Sequence, residues 1–190
     1  MRKTLTAAVL AAALLTLAAC GGEDDSDTTA GHNDADVTFA QQMIPHHEQA
    51  IDMAEAAETR AESQEVKDLA ADIEAAQGPE IETMTGWLES WGEDVPDGGM
   101  SDMSDMDHGD MSDDMSGMMS EEDMTALENA TGAEFDQMFL TMMIEHHEGA
   151  IEMAKTEQAD GESADAKALA EDIETAQTEE IQTMQELLKS

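Results

Sequence analysis

The chain has 190 residues, with 7 Lys and Arg against 46 Asp and Glu and a formal net charge of -39. That balance excludes an electrostatic nucleic-acid binder, because phosphate needs clustered Lys and Arg, and the length allows one domain or two small ones. Aromatic residues are only 3% with no Tyr, so a core has to come from Leu, Ile, Ala and Met, a composition that favours helices.

Residues 1–19 read as an export signal. Arg2 and Lys3 form a basic start, Leu5 to Ala18 is almost wholly Ala, Leu and Val, and the run is too short to span a bilayer comfortably. It ends Leu17-Ala18-Ala19-Cys20-Gly21, which resembles a bacterial lipobox. The resemblance implies cleavage before Cys20 and a lipid on its sulfur, hence a membrane-anchored protein on the extracytoplasmic side; ordinary secretion is the alternative. Cys20 is the single cysteine, so one chain forms neither a disulfide nor a Cys-based metal site, and any soft ligand has to be methionine. Residues 20–35, rich in Gly, Asp, Ser and Thr, read as a flexible tether.

Residues 36–190 carry an internal repeat. Phe39 to Leu88 aligns without a gap on Phe139 to Leu188, with about half the positions identical. Met43-Ile44-Pro45-His46-His47-Glu48 recurs as Met143-Ile144-Glu145-His146-His147-Glu148, and Ile73, Gln77, Glu80, Ile81 and Met84 recur as Ile173, Gln177, Glu180, Ile181 and Met184.

The first copy, residues 36–91, has apolar residues at helical spacing on both sides of a break near Thr59 to Ser63, and predicts a helical hairpin. Ser63 and Ser163 are the expected N-caps of the second helices. Pro45 and Pro79 lie inside the first hairpin's helices and invite kinks there. Residues 92–120 are of another character, with Met100, Met103, Met106, Met111, Met115, Met118 and Met119 set among Ser, Asp and Gly, and are expected to be disordered until something binds. A short helix from Ser120 to about Asn129 is expected to close this segment. The second hairpin, within residues 121–190, is expected to begin at a capping box of Thr131 and Glu134, with Gly161 at its turn. Neither hairpin buries its apolar stripe alone, so the predicted fold is all-α, a four-helix bundle.

Candidate chemistry starts with the histidine pairs. A lone helical His is usually a surface or satisfied core residue, but here the same Met-x-x-His-His-Glu grouping occurs twice. Met43, His46, Ala50 and Met53 fall within about 80° on a helical wheel, and His47 flanks them. Met43 and His46 are about 4.5 Å apart along the axis and Met43 and Met53 about 15 Å, so a ladder of sites is expected rather than one. Gln77 and Gln177 interrupt apolar stripes near the level of the histidines, and are candidates either for orienting the imidazoles behind the ligands or for helix-helix hydrogen bonds. Ferritin-like di-iron sites place Glu one turn before His; here Met43 and Met143 stand there, and thioether with imidazole argues for Cu(I), and Ag(I) with it, over iron. The methionines of the connection, with His108 among them, form a second candidate soft-ion site surrounded by attracting aspartates. Met53, Met84, Met153 and Met184 read first as packing residues.

The two His-His-Glu-x-Ala-Ile-x-Met-Ala segments, each followed by Ile-x-x-x-Gln-x-x-Glu-Ile-x-x-Met, resemble domain-of-unknown-function family 305, which includes the CopM-like copper-binding proteins. The resemblance covers residues 36–190. It implies a ferritin-like helical bundle outside the cytoplasm and, for the copper-binding members, Cu(I) held by Met and His. Carried onto this sequence, the ligand candidates are Met43, His46, His47, Met53, Met143, His146, His147 and Met153, with Met142 and Met138 as additions. The expected role is copper sequestration, tolerance or handover to a copper-handling partner protein, with no catalysis required and no organic cofactor. One alternative is a di-iron or di-manganese oxidase using Glu48, Glu80, Glu148 and Glu180 with the histidines. Another is a non-metal acidic envelope protein. Parallel first and third helices would bring the two His pairs to one level; antiparallel ones are free to hold them apart.

Overall fold

The computed structural model describes residues 31–96 and 116–190. Cys20 and, from the connection, Met100, Met103, Met106, His108, Met111 and Met115 lie outside the described residues. The described residues form α1 (Asp34–Arg60), α2 (Gln64–Trp91), α3 (Glu121–Asn129), α4 (Ala133–Asp160) and α5 (Ala164–Leu187), with no strand among them. None of these helices is long and apolar enough to cross a membrane.

Local chemistry sets most of the boundaries. Ser63 and Ser163 accept from the Val66 and Ala166 amides and so cap α2 and α5 as expected. Ser120 opens α3 with a capping box to Asp123. α1 begins at Asp34, within the segment expected as tether, because Asn33 and Asp36 form a capping box of their own. Both Pro45 and Pro79 lie inside helices that continue past them. The capping box expected from Thr131 and Glu134 is not formed. Gly132 is the N-cap instead, at φ 66, with no side-chain cap bond. Its amide donates to the Arg60 carbonyl at 2.8 Å, and the Ala133 amide donates to the Glu62 carboxylate at 3.1 Å. The α1–α2 turn thus caps α4 from outside, which sequence-local rules do not contain.

α1 packs on α2, α4 on α5, and α1 on α4. The central pair runs antiparallel, because the start of each helix meets the turn at the far end of the other. Asp36 accepts from the Glu162 and Ser163 amides at 3.1 and 2.9 Å. Asp136 accepts from the Glu62 and Ser63 amides at 3.0 and 2.9 Å. This reciprocal clasp relates the two halves by a pseudo-two-fold axis between α1 and α4. Among the differences between its two ends is Ala57 in the first repeat against Glu157 in the second, both buried. Protonated, Glu157 hydrogen-bonds to Asp36; ionised, neither of its oxygens has a donor facing it.

The core falls into two parts. One gathers Ala50, Met53, Leu69, Ile73, Phe135, Phe139 and Met143, with Leu127 of α3. The other gathers Phe39, Met43, Ile44, Met84, Leu88, Ala150 and Ile173. The four histidines of the repeat are also buried.

Candidate metal centre

His46 and His47 sit near the middle of α1, and His146 and His147 near the middle of α4. Antiparallel packing therefore brings the pairs together rather than holding them apart, since the midpoints of antiparallel partners coincide. The His46 and His146 rings lie 3.7 Å apart between centroids, and those of His146 and His147 6.5 Å apart. All four are at most 1% exposed.

Each outer imidazole is held by a carboxylate from the second helix of its own repeat. His47 Nε2 pairs with Glu80 Oε2 at 2.7 Å, and His147 Nε2 pairs with Glu180 Oε2 at 2.6 Å. His46 Nε2 donates to the Ser116 carbonyl at 3.3 Å; only an N–H bonds to a carbonyl oxygen, so this nitrogen carries the proton. What these contacts leave is a set of buried, unpartnered nitrogens: Nδ1 of His46, His47 and His147, and both nitrogens of His146. Buried polar atoms are normally satisfied, which makes these clustered nitrogens the candidates for holding a ligand.

Electrostatics point the same way. Burial, reinforced by the neighbouring His47, pushes His46 down to about 3 against the opposing Ser116 hydrogen bond. Burial and then the three other imidazoles push His146 well below its ordinary value. Both rings are neutral at neutral pH and present lone pairs, the form that binds metal.

The buried thioethers fall into both parts of the core. Met43, one turn before His46, is buried in one part of the core with Met84, while Met153 packs partly exposed against it. Met143 is buried in the other part with Met53, Met142 and Met184, and Met119, Met124 and Met138 pack against them. The antiparallel crossing thus places Met53 of the first repeat with Met143 of the second. Met118, also described, is partly exposed. Among the described residues no three His, Cys, Asp or Glu side chains are grouped so as to hold an ion. Of the carboxylates named for the oxidase alternative, Glu80 and Glu180 each pair with one histidine, Glu48 is half-buried and Glu148 is exposed.

The sequence matches the profile described as "Domain of unknown function (DUF305)" over residues 36–188. The chain belongs to the DUF305 family. A DUF305 crystal structure from Streptomyces coelicolor, described as that of a secreted protein, shares 33% identity at a TM-score of 0.70, over 82% of this chain and 91% of its own. A DUF305 fragment from Deinococcus radiodurans shares 28% at 0.71, over 84% and 98%. CopM in its Cu(II)-bound form shares 34% at 0.67, over 81% and 95%, and CopM structures also exist in Cu(I)-bound and Ag-bound forms. No curated protein matches the chain by sequence.

In this DUF305 chain, Gln77 and Gln177 are buried, but neither is hydrogen-bonded to a histidine. Both amide atoms of Gln77 and the oxygen of Gln177 lack partners. The groups that do hold the imidazoles are Glu80 and Glu180, which sequence reasoning placed only in the oxidase alternative. One signal was available: folding the hairpin about its turn brings Glu80 near the level of Met43, one turn from His47. Ser116 carried no such signal, because it acts through its backbone.

Proposed function

We propose that this DUF305 protein binds Cu(I), and Ag(I) with it, through the buried histidine layer and the flanking methionines, for sequestration or handover outside the cytoplasm. The observation that carries this reading is the set of buried imidazole nitrogens without partners, with the buried Met43 and Met143 one turn before His46 and His146 in their helices. The copper- and silver-bound CopM structures support it, and the export signal with its lipobox supports the location and a lipid anchor on Cys20. We read the bundle as two ferritin-like hairpins whose Met/Asp-rich connection collects the ion first.

The residues divide the work simply. Glu80 and Glu180 fix the far nitrogens of His47 and His147, which sets ring orientation and raises the basicity of the nitrogen left over. Low proton affinity keeps His46 and His146 ready for an ion without a proton to displace. Thioether sulfur selects a soft ion over the harder divalent cations, and the acidic surface raises the local cation concentration. Reversible coordination is the whole mechanism.

The test is anaerobic Cu(I) titration of the mature, unlipidated chain against a chromophoric chelator, beside a variant with His46, His47, His146 and His147 all changed to Ala. Binding that weakens in the variant, at unchanged helical circular dichroism, supports the reading. A parent chain that takes no Cu(I) from the chelator overturns it.

A further inference from the structure

The histidine layer is covered on one side by main chain. Ser116 to Met119, the stretch leading into α3, runs across α1 and α4 where they cross and is anchored to both. The Ser116 hydroxyl donates to Glu152 Oε2 at 2.8 Å, and the Ser116 carbonyl accepts from His46. The Met119 amide donates to Gln49 Oε1 at 2.7 Å, while Gln49 Nε2 donates to the Met119 carbonyl at 2.9 Å. Gln49 is 1% exposed, so its end of this pair of hydrogen bonds is buried.

On the α4 side the fit depends on the lack of a side chain. A Cβ on Gly149 would lie 1.9 Å from the Ser116 oxygen, 2.5 Å from its carbonyl carbon and 2.8 Å from the Gly117 Cα. All three are backbone atoms, which cannot swing aside. Gly117 itself sits at φ 84, and a Cβ there would meet the Glu145 oxygen at 2.7 Å. A mid-helix glycine costs about 1 kcal/mol relative to Ala, so Gly149 carries a local penalty that the close approach accounts for.

Gln49 and Gly149 are equivalent positions of the repeat, inside its best-matched segment. Two glutamines would block the approach and two glycines would provide no grip; one of each makes a seat with two unlike sides. The consequence reaches the imidazoles. His46 has its Nε2 proton fixed by the Ser116 carbonyl, whereas its counterpart His146 has both nitrogens unpartnered.

We propose that Ser116–Met119 is a strap, seated by Gln49 and Gly149, which holds His46 in the Nε2–H tautomer and gates access of the ion to the histidine layer. The gating part rests on the copper reading above; the seat and the tautomer do not.

The experiment uses the full mature chain with Gly149→Ala and, separately, Gln49→Leu. Gly149→Ala suits α4 and meets only the strap; Gln49→Leu loosens the strap from α1. In metal-free protein, exchange of the Met119 amide is expected to accelerate at least tenfold in both variants. The nitrogen-15 signals of the His46 ring are expected to lose their Nε2–H pattern, while those of His47, held by Glu80, keep theirs. Stopped-flow Cu(I) association and chelator-driven release are both expected to quicken several-fold. Unchanged Met119 exchange in both variants overturns the seat, and an unchanged His46 pattern with a released strap overturns the tautomer role. Faster exchange with unchanged Cu(I) rates overturns the gate. A parent chain that binds no Cu(I) overturns the copper reading and the gate with it, while the exchange and ring signals still decide the seat and the tautomer.

Discussion

Replacing Glu157 with Gln is expected to change how stability depends on pH, because the carboxyl it removes is protonated in the fold under conditions where an ordinary one is ionised. Burial first, then the hydrogen bond to Asp36 and the charge of Asp36, push Glu157 from 4.5 up to about 8, against the weaker pull of Lys167. Asp36 is held below its ordinary value. Burial opposes its ionisation, but the Glu157 hydroxyl and the amides of Asn33, Ser163 and Glu162 outweigh burial. A raised acid pKa means that the folded chain keeps a proton the unfolded chain has lost. Stability is therefore fully present below about pH 4.5 and falls as pH rises toward about 8. At about 1.4 kcal/mol per pH unit the ceiling is about 5 kcal/mol. The groove along Asp34, Thr38, Gln42 and Thr156 reaches Glu157 and admits water, and with that screening we expect about 2 kcal/mol. Glu157→Gln keeps a donor for Asp36 and removes the titration. His46 and His146, whose depressed pKa values make stability rise with pH, are common to both proteins and cancel in the difference. The assay is urea unfolding of chelator-treated parent and variant from pH 5 to 9. The parent should lose about 2 kcal/mol relative to Glu157→Gln across that range, and parallel curves would refute the reasoning.

Glu80→Gln with Glu180→Gln keeps an acceptor for each outer imidazole but removes the charge; Cu(I) affinity in the competitor titration is expected to fall about 10- to 100-fold, and an unchanged value would show that the carboxylates do not tune the layer. Gln77→Leu with Gln177→Leu removes three buried amide atoms that lack partners, both of Gln77 and the oxygen of Gln177; urea unfolding is expected to show a gain of about 1–2 kcal/mol, whereas lost stability or weakened Cu(I) binding would reveal a partner, including the histidines they were expected to orient.

Much of the helical layout is legible in the residues. The apolar spacing, Ser63, Ser120 and Ser163 locate α2, α3 and α5, and the repeat pairs the helices because a stripe of Leu, Ile and Ala has to be covered by its neighbour. What the sequence could not give is the sense of α1 against α4. That sense depends on Asp36 and Asp136 reaching amides more than a hundred and more than seventy residues away, and no local rule contains such a contact. Gly132 as a cap fails to show in sequence for the same reason, because its supporting acceptors belong to the α1–α2 turn. The histidines and Met43 and Met143 were readable as candidates from their duplicated spacing. Their facing rings were not, since that depends on the antiparallel crossing, nor was the contact of Ser116 with His46, which is made by a carbonyl that every residue has.

The reciprocal clasp of Asp36 and Asp136 has a consequence for how such a chain is assembled. Each half satisfies the other through the same contact used twice, which is the logic of an isologous dimer. A single hairpin could close the same interface with a copy of itself, but identical copies must carry identical residues at equivalent places. Joining the two into one polypeptide lifts that obligation. Gln can then face Gly, Glu can stand where its twin has Ala, and a segment that exists only once can lie across a two-fold centre and make its halves different.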